Sequence, residues 1–430
     1  MGSVFSFPTF LTFLTVLTLI TSCGQKEIPP SEPLSETHFY IWQQYWSPDV
    51  SSAVRRAQEQ ADGFWILGAT LQWKGDAIRE QIFQPDWKAL KDSQRPVTVT
   101  VRMDGSFAKP LADRKFEAVV DKLASLLEHH RSNAQKDGAQ VTGLQLDYDC
   151  PTQKLEHYVR LVRLLRVRLA GIELSVTTLP DWLSSKKFSS LVNKTDYFVL
   201  QVHSLEKPTG RDSPLKICDV SRIPGWLGNL KDIGTPFYLA LPTYGYQVVY
   251  DRDGKPAGVF AESGMKIEPE SGLQVRSAMA EPAEIASVVR SLRKEPPPWC
   301  RGIVWFRLPV EGDQLNWNWP ALQAVMEGRE PKVAFEAEVR SPNPGLYEVW
   351  LSNKGEFEPL KLVTLELDFQ GQEILAYDMH NGFQENGGTN RLIGPAPPIG
   401  EPLLAAWYRL APDEAATAKT PIAGKVEVVR

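Results

Sequence analysis

The sequence lacks the motifs of several large enzyme classes. It has no Gly-x-Ser-x-Gly turn of serine hydrolases, no Walker phosphate loop and no His-Glu-x-x-His helix of zinc proteases. Cysteine is scarce, with four in 430 residues, and no Cys-x-x-Cys pair or Cys/His cluster is present. We therefore expect no metal and no cofactor. A long basic run is also missing and the net charge is −5, so nucleic acid is not an expected partner.

The one long apolar run lies near the N-terminus, from Phe5 to Ile20, and carries no charge. It is shorter than the roughly 20 apolar residues that span a bilayer. The small residues that follow it are typical of a cleavable signal peptide. The stretch that ends at Cys23 resembles a lipobox, in which the Cys thiol is acylated and becomes the new N-terminus. We expect a signal peptide over residues 1–22 and a lipid on Cys23; an ordinary secretory signal or a short membrane anchor are the alternatives.

Residues 23–36 are polar and rich in proline, a composition that suits a semi-rigid linker. Gly24 gives no obvious signal for retention at an inner membrane. We therefore expect a lipid-anchored protein of the cell envelope. The outer membrane is the favoured location, with the protein facing the periplasm or the cell surface.

Apolar strands alternate with amphipathic helices through residues 37–330. Eight strands, most followed by a helix, predict a (β/α)₈ TIM barrel. An open doubly wound sheet is the alternative, disfavoured because no Gly-rich loop follows the first strand. A longer segment at 246–272, with a turn at Asp251–Gly254, predicts a hairpin on the upper rim. The predicted strands are His38–Gln43, Gly63–Leu67, Val97–Met103, Gly143–Asp149, Glu173–Thr178, Tyr197–His203, Phe237–Leu241 and Gly302–Leu308.

The pattern changes after Gly328, where short strands with period-two alternation are separated by turns. A helical pattern returns only at Pro412–Thr417. We predict a C-terminal β-sandwich domain over residues 331–430. Such a domain either binds polymer or only braces the barrel, and the sequence favours the structural role.

The fourth predicted strand carries the most informative polar pattern. Its face formed by Gly143, Gln145, Asp147 and Asp149 is polar where a barrel interior is normally apolar. Residues two apart on a strand lie about 6.6 Å apart at Cα, so the two carboxylates share one pocket. Like charges at that range raise one pKa, which supplies a proton donor near neutral pH. This is the arrangement of acid-catalysed glycoside hydrolysis, with Asp147 and Asp149 as catalytic residues.

This strand resembles the Asp-Gly-x-Asp-x-Asp-x-Glu signature of chitinase-like glycoside hydrolases. Asp149 stands at the position of the catalytic Glu, Asp147 at the third acid and Gln145 at the second. Asp149 is one methylene shorter than Glu, and Gln145 carries no charge. The whole chain also resembles a family of bacterial barrel lipoproteins of unassigned function within the glycosidase superfamily, which implies fold and location.

Other strand ends predict a polar, aromatic pocket on the same face. Thirteen Trp and twelve Tyr also fit sugar binding in an exported protein, because flat rings stack on the apolar faces of pyranoses. The predicted substrate-binding residues are Trp42, Gln44, Asp104, Gln145, Gln201, His203, Tyr244, Trp305 and Arg307.

Each of these residues also has a purely structural interpretation. Asp147 pairs with Arg102 or Arg307 inside the barrel in that case, and Asp149 caps the following helix. His203 is then a hydrogen-bonded packing residue and Trp305 a core residue.

Three cysteines remain besides Cys23, and export makes one disulfide possible. Cys150 and Cys218 both follow strands near the barrel top, whereas Cys300 precedes a strand at the bottom. We therefore prefer a Cys150–Cys218 disulfide.

Two functional hypotheses follow. The first is a membrane-anchored glycoside hydrolase that acts on an envelope or extracellular glycan. The second is a non-catalytic lipoprotein that binds glycan or supports an envelope assembly on a degenerate glycosidase barrel. Both predict a glycan partner and a membrane partner, and neither fixes the glycan, the linkage or the oligomeric state.

Overall fold

The computed structural model describes residues 34–204, 208–261, 272–359, 362–411 and 423–428. The predicted signal peptide, Cys23, most of the predicted linker and the predicted Pro412–Thr417 helix lie outside these residues. Among the described residues, no helix is both long enough and apolar enough to cross a bilayer.

The first part of the chain alternates strands and helices, as its apolar periodicity predicts. Its strands are β1 (Glu36–Ile41), β2 (Gly63–Lys74), β3 (Ala77–Ile82), β4 (Val97–Met103), β5 (Val141–Tyr148), β6 (Glu173–Thr178), β7 (Tyr197–Gln201), β8 (Phe237–Pro242), β9 (Gly245–Tyr250), β10 (Pro256–Phe260), β11 (Gln274–Met279) and β12 (Cys300–Phe306). Its helices are α1 (Pro48–Ala57), α2 (Trp87–Asp92), α3 (Ala108–Ala112), α4 (Phe116–Asp137), α5 (Leu155–Arg168), α6 (Phe188–Val192), α7 (Ile223–Gly228), α8 (Pro282–Lys294) and α9 (Trp319–Met326).

Eight of these strands form a closed parallel barrel. They pair in the order β1-β12-β8-β7-β6-β5-β4-β2, and β1 also pairs with β2, which closes the ring. Helices lie between most successive strands, so the prediction of a barrel rather than an open sheet is confirmed. Helix boundaries follow local chemistry: Ser47 caps α1 by accepting a hydrogen bond from the Val50 amide, and Gly138 ends α4 in the left-handed conformation.

Two additions to the barrel are antiparallel. The predicted hairpin at Asp251–Gly254 is present and joins β9 to β10, while β11 pairs with the other edge of β9. The hairpin of β2 with β3 was not predicted. Its turn lies at Gly75, where φ is +63°, and β2 continues to Lys74, beyond the predicted end of this strand at Leu67.

The barrel interior is unusually aromatic. A cluster inside the ring contains Tyr40, Trp65, Tyr197 and Tyr238, and Trp65 stacks on Tyr197 with ring centroids 5.6 Å apart. A separate, larger apolar core lies between the outer faces of the strands and the helices. Barrel strands are therefore buried on both faces, which is typical of parallel sheets.

The C-terminal part is entirely β in the described residues, with two antiparallel sheets of four strands each. One sheet has the order β13-β14-β19-β16 and the other β17-β18-β15-β20. Their facing residues, among them Val349, Leu351, Val363 and Leu365, share one buried apolar core, as in a β-sandwich. The strands are β13 (Phe335–Asn343), β14 (Leu346–Asn353), β15 (Leu362–Asp368), β16 (Ile374–Met379), β17 (Gln384–Glu385), β18 (Arg391–Pro395), β19 (Leu403–Leu410) and β20 (Ala423–Val428).

Candidate functional site

Gln145 ties together four strands beneath the C-terminal mouth of the barrel. Its Oε1 accepts hydrogen bonds from the Tyr40 hydroxyl of β1 and from Thr100 Oγ1 of β4, the latter at 3.3 Å. Its Nε2 donates to Ser175 Oγ of β6 at 3.2 Å. Gln145 is fully buried in this structure, and its predicted contact with substrate stays a prediction. The side-chain amide of Gln145 stabilises the barrel, because these hydrogen bonds replace the hydrogen bonds to water that the amide loses on burial.

Asp147 lies one pleat above Gln145 and is only 3% exposed. Its Oδ2 accepts a hydrogen bond from Arg102 Nη1 at 2.8 Å, and its Oδ1 accepts one from Thr177 Oγ1 at 2.7 Å. The charge of Asp147 raises the pKa of the Arg102 guanidinium. Both carboxylate oxygens are thus engaged, and Asp147 is a fixed anion of the kind that a buried site tolerates only with a partner.

Asp149 lies just beyond the end of β5 and has a different environment. Its side chain is 50% exposed, and its Oδ2 lies 3.4 Å from Arg102 Nη2. Burial raises the pKa of Asp149, the nearby charge of Asp147 raises it further, and Arg102 lowers it in part. The alternative of a helix cap is wrong, because neither α5 nor the 3₁₀ turn Thr152–Lys154 has a side-chain cap. Asp149 is therefore an accessible carboxyl that holds its proton more tightly than an isolated Asp.

An aromatic wall lies at the C-terminal ends of the barrel strands, the same end at which β5 carries the two acids. Trp42, partly exposed at the end of β1, meets the Phe306 ring of β12 at 5.1 Å between centroids. On the other side of Phe306, the His203 ring stacks at 5.0 Å with 28° between the planes. Phe306 was not predicted as a site residue. It is the aromatic residue at the end of β12 that faces the interior.

His203 and Tyr244 both pack their rings against Phe306 of this wall. His203 Nδ1 lies 3.3 Å from the Tyr244 hydroxyl, and the two side chains are 3% and 4% exposed. Burial lowers the pKa of His203 to about 3, so the ring is neutral at physiological pH. Neither side chain is open to solvent in this structure, and their predicted contact with substrate stays a prediction. Gln201 holds the same turn by donating from Nε2 to the His203 carbonyl at 3.1 Å.

Asp104 and Gln44 occupy the rim of the mouth. Asp104 Oδ1 caps the 3₁₀ turn Gly105–Phe107 by accepting from the Ser106 amide at 2.9 Å. Its Oδ2 accepts from Gln72 Nε2 at 2.9 Å, so Asp104 is chiefly a turn-forming residue. Gln44 is exposed just beyond β1.

Two predictions for β12 are corrected by the structure. Trp305 points outward into the core between barrel and helices and is 1% exposed, so it does not line the pocket. Arg307 is buried, donates from Nη2 to Asp313 Oδ2 at 2.5 Å and from Nη1 to the Ala261 carbonyl at 2.8 Å. Arg307 therefore pairs with Asp313 and not with Asp147, and its predicted contact with substrate stays a prediction. The prediction placed Trp305 on the inward face of β12, which Phe306 occupies instead. Both faces of this strand are apolar, so its sequence shows no alternation that identifies the inward face.

The preferred Cys150–Cys218 disulfide is also wrong, since both thiols and that of Cys300 are free. Cys150 follows β5, whereas Cys218 forms an antiparallel β-bridge through its backbone with His203, which follows β7. Strand β6 therefore lies between the positions of the two cysteines in the ring. Burial raises the pKa of each of the three thiols to about 12, which makes them poor nucleophiles.

Thr177 belongs to the candidate site through its hydrogen bond to Asp147 and was not predicted from the sequence, although a signal existed. Ser175 and Thr177 alternate with apolar residues in the predicted strand Glu173–Thr178, and both face the barrel interior. Their period-two pattern places hydroxyl groups beside the polar face of the neighbouring β5 strand.

A family model matches residues 93–311, slightly more than half of the chain. The chain belongs to the family described as Domain of unknown function (DUF3142). The region matched to DUF3142 includes Arg102, Asp147, Asp149 and Phe306. No curated protein sequence matches this DUF3142 chain.

Solved structures similar to the DUF3142 chain are chitinase-like barrel proteins. The spore cortex-lytic enzyme SleL of Bacillus cereus has 14% sequence identity and a TM-score of 0.49, over 70% of this chain and 76% of SleL. A chitinase from Chromobacterium violaceum has 12% identity and a TM-score of 0.47, over 68% and 98% of the two chains. The chitinase-like agglutinin of Robinia pseudoacacia has 14% identity and a TM-score of 0.43, over 68% and 98%.

Proposed function

We propose that the protein is a membrane-anchored glycoside hydrolase that cleaves an envelope or extracellular glycan with Asp149 as general acid. The observation that carries this proposal is the contrast between the two neighbouring acids of β5. Asp147 is a buried anion held by Arg102 and Thr177, whereas Asp149 is half exposed with a raised pKa. A buried, ion-paired carboxylate beside an accessible carboxyl group that holds its proton is the electrostatic basis of acid-catalysed glycoside hydrolysis.

In the proposed reaction, Asp149 transfers the proton and Asp147 stabilises charge. Protonated Asp149 donates to the glycosidic oxygen as the bond from that oxygen to the anomeric carbon breaks. The positive charge that develops on the sugar is stabilised by the fixed Asp147 anion below. A water molecule then adds to the anomeric carbon, and its proton returns to Asp149. Trp42 and Phe306 form the apolar wall against which a sugar ring would lie.

The proposal is tested by hydrolysis of a panel of oligosaccharides with the wild type, Asp149→Asn and Asp147→Asn. Loss of a general acid lowers kcat by about 10²- to 10⁴-fold. We expect Asp149→Asn to lose at least about 100-fold in kcat with little change in KM. Asp232→Asn is the matched control, since Asp232 is an exposed carboxylate on the segment before β8. Full activity of Asp149→Asn on a glycan that the wild type cleaves would eliminate this proposal.

A second function, non-catalytic glycan binding, is favoured by one contact. Arg102 bridges both carboxylates, at 2.8 Å to Asp147 and 3.4 Å to Asp149, and so neutralises part of the acidic pair. A paired glycan array and hydrolysis assay separates the two functions. Binding without turnover supports the binding function, and turnover supports the hydrolase.

The membrane anchor is proposed from the sequence of residues 5–23, and the structure of the first described residues is compatible with it. Ser35 donates a backbone hydrogen bond to the Arg301 carbonyl at 3.3 Å, at the N-terminal end of the barrel strands. An anchored chain therefore enters the barrel at the end opposite the two acids. Incorporation of labelled palmitate into the wild type but not into Cys23→Ala tests the anchor.

A further inference from the structure

A groove of about 700 Å³ on the side of the barrel is lined mainly by positive charge. It lies among the start of α4, the helix α5 and the segment around α6. Five exposed cationic side chains line it, with Glu156 as the one acid among its lining residues: Arg114, Arg160, Arg163, Lys187 and Lys194. This concentration contrasts with the net charge of −5 for the whole chain.

Local ion pairs do not neutralise the groove. Lys187 pairs with Glu156 at 3.3 Å, and the Arg160 guanidinium lies over the Phe116 ring at 4.7 Å from its centroid. Within the described part of the chain, Arg114, Arg163 and Lys194 have no ion-pair partner. Like charges three residues apart on a helix, such as Arg160 and Arg163, repel each other. A concave surface with several uncompensated cations gains free energy when an anion occupies it.

We propose that this groove binds an anionic glycan, one that carries carboxylate or phosphate groups along its length. Three arginines favour this chemistry because the planar guanidinium group binds carboxylate and phosphate through two parallel hydrogen bonds. Val159, which is half-buried in the lining, adds apolar surface beside these charges. This site is separate from Asp147 and Asp149, and it does not depend on their chemistry.

A membrane surface fits the groove less well than a glycan. A flat bilayer does not enter a concave site between helices, whereas a single polymer strand does. Helix α5 begins six residues after Asp149, so its first turn lies toward the mouth of the barrel. The chain that leads to Cys23 leaves from the opposite end, at β1. A glycan that lies along α5 therefore approaches the side of the barrel on which the two acids open.

The test measures binding of the full chain to a fluorescent oligogalacturonate, with a chito-oligosaccharide of equal length as the neutral probe. Arg163→Gln/Lys194→Gln removes two unpaired cations from the groove. Lys88→Gln/Lys231→Gln is the matched control, since both lysines are exposed and line no part of the groove. We expect the groove variant to raise Kd about fivefold, the size of effect that two exposed charge contacts produce, and the control to leave it unchanged. The affinity of the wild type should also fall as salt is raised.

Three results would overturn the proposal. The first is an equal Kd for the groove and control variants, and the second is equal wild-type binding of the charged and neutral probes. The third is that the wild type binds phosphatidylglycerol vesicles but not the oligogalacturonate, and that the groove variant no longer binds the vesicles. Circular dichroism of both variants checks that they remain folded. None of these measurements uses hydrolysis, so failure here is distinguishable from failure of the proposed reaction.

Discussion

Two aspartates, two residues apart on one strand, have different physical roles because of what surrounds them. Asp147 faces Arg102 and Thr177 and has both oxygens occupied. Asp149 extends past the last hydrogen-bonded pair of β5 and reaches solvent. The sequence predicted that they share a face, and it left open whether Asp147 pairs with Arg102 or with Arg307. The structure selects Arg102, since Arg307 is committed to Asp313.

The raised pKa of Asp149 predicts a specific dependence of stability on pH. The native protein holds this proton more tightly than the unfolded chain, whose Asp has the ordinary value of 3.8. The free energy of unfolding therefore falls as pH rises from 3.8 to the native pKa, and it is constant beyond that point. Asp149→Asn removes this contribution. We expect the stability of Asp149→Asn relative to wild type to increase with pH across that window and then to level off.

Urea denaturation at a series of pH values measures this difference directly. Arg102→Gln serves as a second variant, because loss of the nearby guanidinium moves the native pKa of Asp149 further upward and extends the window. A stability difference between Asp149→Asn and wild type that is independent of pH would contradict the assigned direction of the pKa shift.

At the scale of elements, closure of the barrel depends on the contact between β1 and β12. Glu36 pairs with Gly302 at the start of both strands, and the two backbones approach closely there. A Cβ at position 302 would lie 1.9 Å from the Glu36 carbonyl oxygen. No real Cβ tolerates that distance, so β12 needs glycine at this point, for a reason that lies in the neighbouring strand.

Gly302→Ala is therefore expected to destabilise the barrel by about 3 kcal/mol, the upper part of the range for steric overpacking. The measurement is the urea midpoint of the full chain, followed by tryptophan fluorescence. Gly225→Ala is the control, because a Cβ at this position in α7 meets nothing within 4 Å. Equal midpoints for the two variants would show that β1 and β12 can move apart to accommodate a Cβ at position 302 without loss of stability.

At the scale of the whole molecule, the first described residues and the two acids lie at opposite ends of the barrel. The first described residues join the N-terminal end of β12, and Asp149 lies past the C-terminal end of β5. The C-terminal sheets attach through contacts such as the paired hydrogen bonds from Arg329 to Glu356, at 2.6 and 2.9 Å. The lipid proposed on Cys23 would thus be attached through the chain that enters at the end of the barrel opposite its mouth.

Cys23→Ala is expected to move the protein from the membrane fraction to the soluble fraction without changing its fold, since Cys23 precedes every described element. Stable attachment to a membrane normally needs two hydrophobic signals, such as two acyl chains. Without the acylated cysteine the proposed lipid is lost, so nearly all of the protein should be released. Ultracentrifugation of cell envelopes followed by immunoblotting measures this release. Cys300→Ala is the control cysteine, and equal membrane retention of both variants would contradict the lipid anchor.

The sequence by itself determined the architecture and the polar face of β5. Strand and helix periods differ, so their alternation predicted a barrel followed by β structure, and period two placed Gln145, Asp147 and Asp149 on one face. The β3 strand was not predicted because most of its residues are exposed, so its sequence carries no clear alternation of apolar and polar residues. The same patterning placed Trp305 inward, although Phe306 occupies that face.

Only the tertiary structure decided which of these polar groups meets solvent. Gln145, His203 and Tyr244 are sealed by residues distant in sequence, whereas Asp149 remains accessible at the mouth. The pairing of Asp147 with Arg102 and Thr177 depends on the register between three strands. Periodicity describes one strand at a time, but exposure and pKa depend on all the neighbours that the closed barrel assembles.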